Sequence, residues 1–223
     1  MIIAIDGPAG SGKSSTAKLV ANALHVLHLD TGAMYRAITL KCLRQGIAFT
    51  DGEAMGRTMR LTAISFTGTP TDMRIWMDGE DVSEAVRGDD VTKNVSDYCT
   101  VSVVREELVG LQRKIAEGQS VVCEGRDVGT VVFPAADLKF FMVASIEARA
   151  HRRKIDFERM GVQKDLAVII AEIKERDRKD STRLHSPLKK ADDAIEIDTT
   201  HLTIDEQVAL IVDRAKRLHT LET

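Results

Sequence analysis

The residues with the clearest chemical potential are Gly7-Pro8-Ala9-Gly10-Ser11-Gly12-Lys13-Ser14, which fit the pattern G-x-x-x-x-G-K-[ST]. Each fixed residue type has a physical use. Glycines let the backbone wrap a phosphate so that amide N–H groups point inward, and the helix starting near Gly12 adds its positive end. Lys13 can reach the β- and γ-phosphates, and the Ser14 hydroxyl can ligate Mg²⁺. An apolar strand-type run precedes the loop and a helical pattern follows it, which is the context the chemistry needs. Gly7 to Ser15 are therefore expected to hold a nucleoside triphosphate. The loop does not say where the γ-phosphate goes. A phosphotransferase needs a second anion site facing the first; a nucleotide-hydrolysing switch needs a water-positioning residue and a partner surface.

Several segments can build a second anion site. In Asp30-Thr31-Gly32-Ala33-Met34-Tyr35-Arg36, Thr31 can cap a helix whose free N–H groups favour an anion, and Arg36 lies one turn in. The same residues also suit an ordinary strand–helix junction. In Glu124-Gly125-Arg126-Asp127-Val128-Gly129, Glu124 could hold a water on Mg²⁺, Arg126 could grip a phosphate and Asp127 could accept from an exocyclic amine. A salt-bridged structural turn is the alternative there. Arg176, Asp180 and Arg183 share one helix face, on the flank of the apolar stripe Leu166, Ile169, Ile170 and Ile173. Arg149 and Arg153 share a face of the preceding helix, while Ser96 and Arg105 lie before and at the start of another. This arginine-rich second side favours phosphoryl transfer over a switch.

Elements must carry these residues to one place. Short β-type runs alternate with helical stretches, which predicts an α/β fold around a parallel five-stranded sheet flanked by helices. Core strands are expected at 2–6, 26–30, 120–124, 138–143 and 194–198, with helices at 14–24, 33–43 and 102–116. The last of these carries Val104, Leu108, Leu111 and Ile115 as its buried stripe. Thr203-Ile204-Asp205-Glu206 reads as a capping box that opens the final helix. Residues 1–223 are expected to form a single domain with two insertions. At 61–98, strand-like runs at 63–67 and 73–78, followed by the turn Asp78-Gly79, predict an inserted β-hairpin. At 147–180, two arginine-rich helices predict a lid whose positive charges repel one another until anions bind.

Composition removes other classes. A formal net charge of −3 gives no global basic field for nucleic acid, and 4% aromatics leave little for base stacking. Cys42, Cys99 and Cys123 offer no close pair for a disulfide or a thiolate metal site, so reduced buried thiols are expected. No apolar run approaches the roughly 20 residues that span a bilayer, and the short apolar start is no signal peptide. A soluble intracellular protein is the expectation.

Four stretches together resemble bacterial cytidylate kinase, in the order of that family and over essentially the whole chain. They are Asp6-Gly7-Pro8 running into the loop, Leu29 to Arg36, Glu124 to Pro134, and Glu172-Ile173-Lys174-Glu175-Arg176-Asp177. Thr31 stands where a serine is common and Glu124 where an aspartate is common; both keep the functional group. The resemblance implies ATP-dependent transfer to CMP or dCMP with Mg²⁺, by a cytoplasmic monomer that binds neither nucleic acid nor membrane. It implies that Ser96, Arg105 and Asp127 contact cytosine, that Arg36, Arg126 and Arg183 hold the acceptor phosphate, and that Arg176 and Asp180 address the ribose. Thr31 joins that substrate set; Gly7 to Ser15, Arg149 and Arg153 serve ATP; and Lys13, Arg126 and Arg183 carry the catalysis. It also makes 61–98 the monophosphate-binding insertion. The alternatives are a kinase for another nucleoside monophosphate or a small metabolite, or a nucleotide-hydrolysing switch. A metabolite kinase would need a carboxylate base beside a hydroxyl, whereas Asp127 sits in an Arg-Asp pair suited to reading an amine.

Overall fold

In the computed structural model, residues 1–159 and 161–221 are described. The chain runs through β1 (Ile2–Asp6), α1 (Lys13–Leu24), β2 (Leu27–Asp30), α2 (Thr31–Arg44) and α3 (Gly52–Arg60). It continues through β3 (Ile64–Thr69), β4 (Asp72–Met77), β5 (Glu80–Asp81), α4 (Asp89–Tyr98), α5 (Ser102–Ala116) and β6 (Val121–Gly125). It ends with β7 (Leu138–Val143), α6 (Ile146–Arg159), α7 (Leu166–Thr182), β8 (Ile195–Asp198) and α8 (Ile204–Leu221). The five expected core strands make a parallel sheet in the order β2-β6-β1-β7-β8. Each lies within one residue of its expected bounds.

Strand alternation divides the core in two. Ile3, Ile5, Val122, Phe140 and Met142 pack under Ala17, Val20 and Ala21 of α1 and Ile211 and Ala215 of α8. Ala4, Leu29, Val121 and Cys123 face the other way, toward Met34 and Ile38 of α2 and Val104 and Leu108 of α5. Both faces are covered at the middle of the sheet, which is why β1 and β7 read as nearly continuous apolar runs. Strand β1 lies between β6 and β7, so the chain reverses its direction of winding there. Loops leaving the carboxyl ends of β1, β2 and β6 therefore gather at a topological switch point. Cys42, Cys99 and Cys123 are free and buried, as expected.

The first insertion is richer than a hairpin. β3 and β4 pair antiparallel from Ile64↔Met77 to Thr69↔Asp72, and β5 adds a third strand. Asp78 and Gly79, at φ 53° and 84°, form the tight turn between β4 and β5 that their types predict. Helices α3 and α4 fall outside the expected elements. Asp51 caps α3 by accepting from Ala54 N at 2.9 Å, and Met55 and Met59 are buried. In α4, Val91, Val95 and Tyr98 form the buried face. Helices α6 and α7 pack as a hairpin around their own small core of Ala150, Phe157, Ile169 and Ile173. Among the described residues, no helix is long and apolar enough to cross a membrane.

Candidate active site

Side chains hold the phosphate loop by its carbonyl groups. Lys13 Nζ donates to Pro8 O at 3.0 Å, Arg149 to Ala9 O at 3.1 Å, Arg152 to Gly10 O at 3.4 Å and Thr199 Oγ1 to Ser11 O at 2.8 Å. Glycine is required at the entry: Gly7 has φ 152°, and a Cβ there would come within 2.2 Å of the Met142 carbonyl oxygen. Gly12 is left-handed at φ 93° and hands the loop to α1.

On α1, the Ser14 hydroxyl donates to Glu124 Oε2 at 2.5 Å, and Glu124 Oε1 faces His28 Nε2 at 3.1 Å. Thr31 does not cap α2. Asp30 does so by accepting from Ala33 N at 2.8 Å, because it is the last extended residue of β2 and its carboxylate hangs over the first turn. Thr31 instead donates to the Glu124 carbonyl at 2.7 Å, tying β2 to β6. Asp30 also holds Arg36 at 3.0 Å. Asp6, at the end of β1, accepts from Val128 N at 2.9 Å and Gly129 N at 2.7 Å. It thereby anchors the π-helical turn Val128–Val132 that follows Asp127. Burial pushes the Asp6 carboxyl up to about 6.

Beyond β6, Asp127 is buried between Arg105, its direct ion-pair partner, and Arg183 at 3.6 Å. Arg105 also lies 5.2 Å from the Tyr35 ring centroid. Arg126 Nε donates to Asp180 Oδ2 at 2.9 Å. Burial works to raise the Asp180 carboxyl, but Arg126 and Arg176 outweigh it and hold it below the usual range. Burial and the neighbouring charges of Arg126 and Arg176 push the Lys13 ammonium down to about 7. Burial and Arg126 likewise bring Arg176 to about 10. The Nε–H groups of Arg36, Arg105, Arg149 and Arg176 are buried with no acceptor among the described residues. Crowded cations with unpartnered buried donors make a site suited to anions.

The structure thus gathers Lys13, Ser14, Thr31, Arg36, Arg105, Glu124, Arg126, Asp127, Arg149, Arg176, Asp180 and Arg183 around the ends of β1, β2 and β6. Ser96 is half-buried on α4, next to Asp97, which pairs with Lys179 at 2.6 Å. Arg153 is not at the loop: its guanidinium lies 4.6 Å from the Phe157 ring centroid, and Arg152 reaches the loop in its stead. Arg152, His28 and Thr199 are residues that motif reading does not reveal, whereas Asp6, Asp30 and Tyr35 lie within the motif stretches but receive no role from them. The α6–α7 charges are also less unbalanced than their count suggests. Arg149 pairs with Asp177 at 2.5 Å, Lys164 with Glu172 at 2.6 Å and Arg178 with Glu175 at 2.7 Å. No group of three or more His, Cys, Asp or Glu suits a metal ion among the described residues. Ser14 and Glu124 offer hard oxygen donors, which fits a Mg²⁺ carried in mainly by phosphates and water.

A model of the family described as cytidylate kinase matches residues 3–217. A cytidylate kinase of Lactobacillus johnsonii is 45% identical over 213 residues, covering 96% of this chain and 93% of the relative. A cytidylate kinase of Geobacillus thermodenitrificans is 46% identical over 211 residues, covering 95% and 94% respectively. Among solved structures, a gluconokinase from Sinorhizobium meliloti 1021 matches with a TM-score of 0.52 at 14% identity, covering 99% of this chain and 94% of the other. That likeness concerns the fold alone.

Proposed function

Because the chain belongs to the cytidylate kinase family, we propose that it transfers the γ-phosphoryl group of ATP to CMP or dCMP, giving ADP and the nucleoside diphosphate. One observation carries the reading: a phosphate loop faces a second site whose arginines hold buried, unpartnered donors. An acceptor that is already a phosphate dianion needs alignment and charge neutralisation, not a general base. Asp127, a buried carboxylate of the site, is engaged by Arg105 and Arg183. It is better suited to accept from the cytosine amine while Arg105 addresses the neighbouring acceptors.

In this reading the loop amides and Lys13 hold the donor β- and γ-phosphates, with Arg149 and Arg153 completing the donor side. Arg36, Arg126 and Arg183 align the acceptor phosphate. Arg176 and Asp180 address the ribose, while Ser96, Arg105 and Asp127 read the base and Thr31 lines their pocket. Lys13, Arg126 and Arg183 stabilise the charge that spreads over the transferring group. Ser14, with Glu124 through a water, would hold Mg²⁺, which would supply positive charge to offset that of the donor phosphates. Residues 61–98 form the acceptor-binding insertion and 147–180 the lid. A cytoplasmic monomer without nucleic-acid or membrane partners is consistent with the net charge of −3.

A coupled assay of ADP release tests the reading with CMP, dCMP, UMP, AMP and no acceptor. CMP and dCMP should support the fastest turnover, and the acceptor-free rate should be negligible. Equal turnover with AMP, or full ATP hydrolysis without acceptor, would overturn it.

A further inference from the structure

The two carboxylate oxygens of Glu124 keep different company. Oε2 accepts from the Ser14 hydroxyl at 2.5 Å, while Oε1 lies 3.1 Å from His28 Nε2. Glu124 is 2% exposed and His28 6%, so the two groups meet away from bulk solvent. Parallel pairing explains the meeting. His28 on β2 lies opposite Val122 on β6, and Glu124 is two residues further along, so the two side chains leave the same face of the sheet. That face is the one covered by α1, where Val122 packs with Ala17 and Val20. Ser14 is on the first turn of α1, so β2, β6 and α1 each contribute one member of the chain His28–Glu124–Ser14.

The ring's other nitrogen fixes the direction of the bond. His28 Nδ1 is buried and has no partner among the described residues. A proton there would be a buried donor without an acceptor, which is costly, whereas a bare ring nitrogen loses less. The arrangement favours a proton on Nε2, donated to Glu124. A carboxylate gripped at one oxygen only can turn about its last bond, since that torsion is broad. Gripped at both, it presents Oε2 in one orientation.

We propose that His28 is a positioning residue: its Nε2–H holds Glu124 Oε1 so that Oε2 stays turned to Ser14, where the Mg²⁺ of the donor nucleotide is received. The inference rests on the reading of Ser14 and Glu124 given above. Hydrogen bonds that orient such carboxylates typically carry a 10–100-fold effect on metal affinity or activity.

Two amide variants test it. In His28→Gln the side-chain nitrogen reaches about as far as Nε2; in His28→Asn it stops near the place of Nδ1. Binding of ADP is measured by calorimetry with and without Mg²⁺, alongside the kcat and CMP KM of each variant. Affinity without Mg²⁺ should be alike in all proteins. The gain on adding Mg²⁺ should persist in wild type and His28→Gln and fall by roughly 10-fold or more in His28→Asn. The kcat should fall with it at unchanged CMP KM. Should His28→Asn not fold, His28→Leu, which packs but cannot donate, takes its place with the same expectation. A full Mg²⁺ gain in the Asn or Leu variant, or equal loss in Gln and Asn, would overturn the proposal. Glu124→Gln is the reference. If it keeps the Mg²⁺ gain, the proposal falls through its premise; if only Glu124→Gln loses it, the role of His28 alone falls. The ADP measurement needs no acceptor, so it stays readable even if transfer to CMP is not found.

Discussion

Asp127 lies buried between two guanidinium groups, and removing it has consequences for both recognition and stability. A hydrogen bond to a charged group is worth about 1.5–3 kcal/mol, so Asp127→Ala should lower kcat/KM for CMP by roughly one to two decades. UMP should suffer less, because uracil has no exocyclic amine to donate, and ATP affinity should be unchanged. Arg105 and Arg183 would then face each other without a counter-ion, which costs about 3 kcal/mol in denaturant unfolding. Equal losses for CMP and UMP would mean that Asp127 acts through structure alone. Asp6 supports a different measurement. Its carboxyl is raised from 3.8 to about 6 by burial, against the two amide bonds that favour its charge. Between about pH 4 and pH 6 the folded chain keeps a proton that the unfolded chain has released. Its contribution to stability therefore falls as pH rises through that window and is level above it, by up to about 3 kcal/mol in all. Asp6→Asn abolishes this slope, so the advantage of wild type over the variant should shrink from pH 4 to 6.5. Parallel stability curves would contradict it.

At the scale of elements, what the sequence discloses depends on how local its cause is. The central strands β1 and β7 are legible because burial on both faces forces apolar runs, and the phosphate loop because its chemistry is contained in eight adjacent residues. Helix α4 is harder to read. Val91, Val95 and Tyr98 have helical spacing, but Asp89, Asp90, Thr92, Asn94 and Asp97 are weak helix formers. Packing and the Asp97–Lys179 pair supply what propensity does not. His28 is hidden because it reaches the site through strand pairing that no spacing encodes, and Asp6, although it opens the loop motif, gives no sign in sequence of its bonds to Val128 and Gly129. In α6 and α7 the basic residues stand out, whereas the carboxylates that answer them lie on facing turns. The hairpin has its own core, in which Phe157 also carries Arg153 and Lys164 against its ring. Phe157→Ala should cost about 3 kcal/mol or more, but within the hairpin, because that core is separate from those on the sheet. Hydrogen exchange should quicken across α6 and α7 while β1 and β6 keep their protection. Uniform quickening throughout the chain would show that the hairpin is not a separate unit of stability.

Considered as a whole, the molecule grips the hairpin at its base and leaves its far end to respond to ligands. Arg149 joins α6 to the loop through Ala9 O, Arg126 joins the end of β6 to Asp180 on α7, and Lys179 joins α7 to Asp97 on α4. These ties fix residues near 149 and 177–180, close to the switch point. Farther out, Arg153 rests on Phe157 rather than on the loop, although it is only one helical turn beyond Arg149. Donor phosphates would draw Arg153 inward, and an acceptor phosphate would quiet the repulsion from Arg126 and Arg176 that adds to burial in depressing the Lys13 ammonium. If 147–180 acts as the proposed lid, its closure would then exclude water that could otherwise receive the phosphoryl group. A graded response follows, in place of a hinge that moves as one piece. With a bisubstrate analogue spanning both sites, amides of residues 153–159 and 162–170 should gain protection from hydrogen exchange. Those of 146–150 and 176–182 should change little, since their ties exist without ligand. High salt should weaken the ligand-induced gain, because screening reduces the attraction that drives it. Equal protection with and without the analogue would mean a rigid arm, and an equal gain at base and far end would mean that the three ties do not hold in solution.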